Sequence, residues 1–119
     1  MRQPSRRPGQ VAGTIRQVIA EALTREIRDP RVGFVTVTGV LVTSDLSHAR
    51  VTVTVPGEEA EKARALQGLQ SAAGFLRSRV ARALTTRSVP ELHFELDKGV
   101  EHAARIEELL ESIRREEQG

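Results

Sequence analysis

Between Ala49 and Val55 the chain alternates without a break. Ala49, Val51, Val53 and Val55 are apolar, and Arg50, Thr52 and Thr54 stand between them. A period of two puts one set on each side of a strand, so this strand has a single face that must be covered. Two other segments carry the same signature. Residues 34–43 are rich in Val and Thr and read as a strand, with Gly39 as a bulge where the alternation changes phase. In residues 89–97, Leu92, Phe94 and Leu96 point one way and Glu91, His93, Glu95 and Asp97 the other. Residues 44–47, Ser-Asp-Leu-Ser, form a turn that joins the first two strands in a hairpin.

The remaining segments are helical. In residues 9–28, Val11, Ile15, Ile19, Leu23 and Ile27 recur every fourth position, which makes an amphipathic helix. Asp29-Pro30 stops it, because a residue before proline avoids helical geometry. Pro56-Gly57 ends the second strand, and Glu58 and Glu59 suit the positive end of a following helix. Its stripe runs through Ala63, Leu66, Leu69 and Ala73, and a new stripe of Phe75, Leu76, Val80, Ala83 and Leu84 follows Gly74. This predicts two helices joined by a kink at residues 72–74. A last helix over residues 100–115 aligns Ala103, Ile106, Leu110 and Ile113. The predicted order is αββααβα, an α+β domain in which helices cover one face of a three-stranded sheet. Residues 1–8 read as a flexible basic tail, 9–115 as one domain and 116–119 as a C-terminal tail.

Composition narrows the function. The chain has 119 residues and no cysteine, which excludes disulfides, thiolate metal sites and a cysteine nucleophile. No apolar run approaches the roughly 18 residues of a membrane span, and no apolar segment follows the N-terminal arginines. A cytoplasmic, monomeric protein without a membrane partner is expected. Aromatic residues make up 3%, which argues against recognition by rows of stacking rings.

The net charge of +2 conceals segregation. Before residue 32, seven arginines (Arg2, Arg6, Arg7, Arg16, Arg25, Arg28, Arg31) face three acids (Glu21, Glu26, Asp29). Arg64, Arg77, Arg79, Arg82 and Arg87 lie in a stretch, 64–90, that holds no acid. Residues 101–119 are acidic. Such asymmetry points to a polyanionic partner, although a merely solvated surface produces it too.

Several ordered motifs resemble one family. Residues 25–33, Arg-Glu-Ile-Arg-Asp-Pro-Arg-Val-Gly, are similar to the end of the first helix in bacterial ribosome-binding factor A. Val37-Thr38-Gly39-Val40 with Ser44-Asp45-Leu46-Ser47-His48-Ala49 resembles its hairpin, and Ala72-Ala73-Gly74 resembles its Ala-x-Gly kink. Val89-Pro90-Glu91-Leu92-His93-Phe94 and Arg105-Ile106-Glu107-Glu108-Leu109-Leu110 match its C-terminal pattern. Gln10 and Gly99 depart from it, standing where a basic residue and a serine are usual. The resemblance implies a K-homology-like fold of the second type, with the kink in place of the Gly-x-x-Gly loop. It also implies a non-enzymatic factor that binds the immature small ribosomal subunit and its rRNA, at the 5′ end and the decoding-region neck. Such a factor assists late rRNA processing, is linked to cold adaptation, and is released with help from a ribosome-associated GTPase.

The candidate RNA-binding residues are Arg16, Arg28, Arg31, Arg77, Arg79, Arg82 and Arg87. Guanidinium groups make bidentate phosphate contacts while their stems cover apolar surface. Five to eight phosphate contacts would give a log–log salt slope of about −4 to −7. Asp29 and Pro30 read as a structural turn, with Asp29 free to pair with a neighbouring arginine. Ala72 and Gly74 read as the structural kink, Gly74 either as architecture or as a place for close approach. His93, Glu95 and Asp97 share a strand face, but their spacing of about 6.6 Å is wide for one ion, so no metal site is expected there. His48 and His102 have no evident partners in the sequence. No nucleophile, phosphate-loop or dinucleotide motif is present, so neither catalysis nor a cofactor is expected. The competing reading is a protein-interaction adaptor working through Glu107, Glu108 and Glu111 or through the open sheet face.

Overall fold

The computed structural model describes residues 8–85 and 88–118. The elements are α1 (Pro8–Arg25), a 3₁₀ turn (Pro30–Val32), β1 (Thr36–Val42), β2 (His48–Thr54), α2 (Glu59–Ala83), β3 (Glu91–Leu96) and α3 (Lys98–Gln118). Arg2, Arg6 and Arg7 of the basic tail lie outside the described residues.

Helix α1 buries Val11, Ile15, Ile19 and Ala22, while Leu23 and Ile27 of the predicted stripe are half-buried against the same core. It begins at Pro8, where a missing N–H costs nothing in a first turn, so the predicted tail loses its last residue. It ends earlier than expected. The N–H groups of Glu26 and Ile27 both donate to the Ala22 carbonyl, at 2.8 and 3.0 Å, and the five-residue step of Ile27 unwinds the last turn. Asp29 then caps the 3₁₀ turn by accepting the Arg31 N–H at 2.9 Å. Pro30 therefore opens a short element as well as preventing a longer one.

The sheet order is β1-β2-β3, with β1 antiparallel and β3 parallel to β2. The register shifts between Val37 and Gly39, which places the bulge one residue before the expected position. The extra residue is Thr38, whose hydroxyl lies 3.1 Å from Thr52 Oγ1. The hairpin loop is tied by Asp45, whose Oδ1 accepts from Thr43 Oγ1 and Ser47 Oγ, both at 2.7 Å. These bonds, led by that from Ser47, hold the Asp45 carboxyl down at about 2. Leu46 sits at φ 62°, an uncommon conformation for a side-chain-bearing residue, and packs against the core from there.

Helix α2 is one unbroken element, not two. The chain stays helical through Ala72, Ala73 and Gly74, because a single glycine weakens a helix by about 1 kcal/mol without removing a backbone hydrogen bond. The observed order is therefore αββαβα. On α2, Leu69, Leu76 and Val80 pack with the α1 stripe against Ala49, Val51, Val53, Leu92 and Phe94, whereas Ala63, Phe75 and Ala83 of the expected stripes are exposed. The opposite sheet face carries His48, Arg50, Glu91 and His93 in solvent. Helix α3 runs on to Gln118, through the expected C-terminal tail, since no glycine or proline precedes Gly119 there. Its Ile106, Leu110 and Ile113 are over 40% exposed and join no core. The side chains of Ala103 and His102 lie outside the described set.

Two glycines of α2 play opposite parts. A Cβ on Gly68 would come within 2.6 Å of Val32 Cγ2 and 3.2 Å of Arg31 Cβ, so α2 meets the 3₁₀ turn only with no side chain there. A Cβ on Gly74 would meet nothing within 4 Å. The fold therefore has room for a side chain at Gly74. Gly68→Val should destabilise the fold by about 1–3 kcal/mol, whereas Gly74→Ala should stabilise it by about 0.5–1 kcal/mol. Chemical denaturation monitored by circular dichroism measures both. The depressed Asp45 carboxyl stabilises the hairpin at pH values above the unfolded-state value near 4, and that support disappears as pH falls through about 2. In Asp45→Ala, stability should fall less steeply between pH 4 and 2 than in the parent, as read from denaturation midpoints.

Candidate nucleic-acid interface

The predicted arginines fall into two groups once the fold is in place. Arg79 is half-buried and grips Glu26 at the end of α1. Its Nε lies 2.8 and 3.1 Å from the two carboxylate oxygens, and Nη2 completes a bidentate pair. The same guanidinium stacks over the Phe75 ring, 4.8 Å from its centroid. Arg31 is held by Asp29 in a similar fork, with Nε 3.0 Å from both oxygens and Nη2 2.6 Å from Oδ2. The Arg31 side chain, by its hydrogen bonds, keeps the Asp29 carboxyl below the usual carboxylate range, and Asp29 in turn raises Arg31. In both arginines Nε and Nη2 are engaged by a carboxylate, while Nη1 makes no such contact. The pairing open to Asp29 is realised.

Arg16, Arg28 and Arg82 are exposed and have no ion-pair partner among the described residues. Arg77 is exposed as well and donates one Nη2 bond, 2.8 Å, to the Val89 carbonyl. That bond stretches the side chain along the segment before β3 and leaves its other donors free. Arg87 lies outside the described residues.

Two grooves flank α2. One, of about 260 Å³, lies between the end of α1 and α2 and is lined by Arg28, Asp29, Ser71, Ala72 and Phe75 among others. The second, of about 560 Å³, is lined by Gly74, Arg77, Ser78, Ala81, Ser88 and Val89. Ala72 and Gly74 thus front different grooves. Between them α2 presents Ser71, Gly74, Ser78 and Ala81 to solvent, a face of small residues spaced three and four apart. Arg28 stands on one side of this face and Arg77 on the other. Arg16 lines neither groove.

Sequence reasoning missed three participants. Glu26 carries no pairing signal in the sequence beyond its charge and its place in the 25–33 motif, and its partner lies 53 residues away. Gly68 has no signal beyond its presence in a helix. Phe34, 83% exposed, lines a groove of about 300 Å³ with Arg31 and Arg64. The argument from scarce aromatics could not anticipate that one ring would stand free beside two arginines.

The arrangement is that of an α+β domain of the K-homology-like class, with the glycine-loop junction replaced by continuous helix. Comparison with known proteins agrees. The family model for ribosome-binding factor A matches residues 7–110. Ribosome-binding factor A of Thermomicrobium roseum is 48% identical over 115 residues, which cover 97% of this chain and 89% of that protein. The solution structure of a Thermotoga maritima putative ribosome-binding factor A superposes with a TM-score of 0.68 at 31% identity, covering 80% of this chain and 91% of that one. A homology model of the Thermus thermophilus factor, fitted into a cryo-electron-microscopy map of a 30S complex, gives a TM-score of 0.59 at 28% identity, covering 73% and 91%. The chain belongs to the ribosome-binding factor A family.

The two groups of arginines should separate in experiment. Arg79→Ala removes a bidentate pair and a ring contact between helices, and should cost about 1–2 kcal/mol of stability. Arg82→Ala touches neither and should change stability by less than about 0.5 kcal/mol. Urea denaturation of the two variants measures the difference.

Proposed function

We propose that this protein binds the immature small ribosomal subunit through its rRNA and assists late rRNA processing and maturation of that particle. The observation that carries the reading is the small-residue face of α2 flanked by Arg28 and Arg77. A phosphodiester backbone can approach Ser71, Gly74, Ser78 and Ala81 closely, since their own side chains are short, and guanidiniums wait on either side. Gly74, which the fold itself does not require, gains a reason in this setting. The fitted 30S complex of the Thermus thermophilus relative supports the choice of particle. The 5′ end of the rRNA and the decoding-region neck are the proposed contacts.

The mechanism is stoichiometric and involves no bond chemistry or cofactor. A factor with higher affinity for one rRNA conformation than for the mature one shifts the population toward the first. Release follows when the mature conformation removes the preferred contacts, assisted by a ribosome-associated GTPase. Weakly stable rRNA alternatives persist longer in the cold, which fits a role in cold adaptation. The protein acts as a monomer in the cytoplasm. Among the described residues no helix is long and apolar enough to cross a membrane.

A second reading rests on α3, where Ile106, Leu109, Leu110 and Ile113 are all exposed. An adaptor would use this face, bordered by Glu107, Glu108 and Glu111, to hold a protein partner.

Sedimentation with ribosomal particles separates the two. The parent chain should co-migrate with free small subunits and not with large subunits. Arg28→Glu/Arg77→Glu/Arg82→Glu should remain at the top of the gradient while keeping its circular dichroism spectrum. Co-migration undiminished by the triple variant would favour the adaptor. Each single arginine-to-alanine change at these positions should reduce the magnitude of the log–log salt slope by about 0.7–0.9. Gly74→Leu, for which the fold has open space, should weaken binding to small subunits at least tenfold without lowering the denaturation midpoint.

A further inference from the structure

The sheet face turned away from the helices holds a cluster unrelated to the α2 surface. The parallel register of β2 and β3 sets His48 opposite Glu91 and Arg50 opposite His93. His48, Glu91 and His93 all project from that face, because Ala49, Val51, Leu92 and Phe94 alternate with them and are buried. His48 Nδ1 lies 3.0 Å from His93 Nε2, with the rings tilted at 40°. The Glu91 Oε2 atom is 3.8 Å from His48 Nδ1. One donor atom from each of the three residues lies within 4.8 Å of the others.

We propose that His48, Glu91 and His93 bind a divalent transition-metal ion of the zinc class. Two imidazole nitrogens on one tetrahedral zinc ion lie about 3.3 Å apart, given bonds of about 2.0–2.1 Å. The observed separation differs from this by a few tenths of an ångström, which exposed side chains can absorb by small χ rotations. Without an ion, nitrogens at this distance share a single proton in one hydrogen bond. An ion accepts both lone pairs together and adds the carboxylate. Two imidazoles and a carboxylate form a known zinc ligand set, with a fourth position left for water or an incoming donor. Imidazole-rich sites prefer zinc, copper or nickel over magnesium.

The scaffold is suited to hold this geometry. The His48 backbone is fixed on both sides: its N–H donates to Thr43 Oγ1 at 3.1 Å, and its carbonyl accepts from the Thr43 N–H at 2.9 Å. The Glu91 N–H donates to the Ser47 carbonyl at 2.9 Å, which locks the start of β3 beside β2. The neighbouring cation, Arg50, is paired with Glu95 through Nη2 at 2.5 Å. His93, Glu95 and Asp97, the trio that the sequence puts on one face, follow one another along a single stretch of chain. The chelating group instead crosses two strands.

The test is calorimetric titration of the full chain with zinc chloride, repeated with magnesium chloride, together with nuclear magnetic resonance of the imidazole rings. The expected result is one zinc ion per chain, shifts confined to the rings of His48 and His93, and no magnesium binding at the same concentration. His48→Ala and His93→Ala should each weaken zinc binding at least about tenfold, Glu91→Gln should weaken it too, and His102→Ala should not. Circular dichroism of each variant should match the parent. Absence of zinc binding overturns the proposal, as does binding that survives both histidine substitutions or that magnesium reproduces. None of these variants touches Arg28, Arg77 or Arg82, so the outcome is independent of the ribosomal reading.

Discussion

The parallel pairing of β2 with β3 is the constraint on which the rest depends. Parallel neighbours cannot be joined by a tight turn, so residues 55–90 must return the chain from the end of β2 to the start of β3. Helix α2 makes that return, and to do so it lies across the sheet with Leu69, Leu76 and Val80 inward. Its opposite side is then necessarily outward. The same pairing lays the segment before β3 along α2, where the Val89 carbonyl receives Arg77. On the far side of the sheet it brings His48 next to His93, 45 residues apart in the chain. One register choice thus arranges the basic grooves on one face and the histidine pair on the other.

The arginines illustrate how a fold divides residues that look alike in sequence. Arg79 and Arg82 lie one helical turn apart in the same acid-free stretch. Arg79 faces the end of α1 and closes on Glu26, so it joins two helices. Arg82 faces solvent and retains its full hydrogen-bonding capacity. Arg28 and Arg31 separate in the same way around Asp29. A guanidinium paired with a carboxylate braces the fold, and an unpaired one presents all its donors to solvent. That a basic protein should need both kinds is physically sensible, because free cations alone would repel one another across the grooves.

Much of the fold was legible beforehand. Val11, Ile15 and Ile19 of the period-four stripe and Ala49, Val51, Val53, Leu92 and Phe94 of the period-two sets are buried, with Leu23, Ile27, Val55 and Leu96 half-buried beside them. Hydrophobic burial is a local property of a sequence pattern, since a stripe of any other spacing would leave apolar side chains in water. The ends of elements were less legible. Arg28 fell outside α1 because a carbonyl at Ala22 accepts two donors, and Gly74 did not divide α2 because a glycine permits a break without imposing one. The α3 stripe is helical, yet its described members Ile106, Leu110 and Ile113 are exposed, as periodicity says that a face is apolar and not what meets it.

The sequence alone determined the kind of domain: the half-apolar strands, the helices able to cover them, the segregated charge, and the motifs that resemble one family. These follow from interactions between residues a few positions apart. The tertiary structure alone decided which arginines are free, why Gly68 must be glycine while Gly74 need not be, and which histidine meets which. Each of those depends on atoms brought within a few ångströms by chain segments tens of residues distant. No local pattern encodes such a contact, because it exists only after the strands have chosen their register and α2 has crossed the sheet.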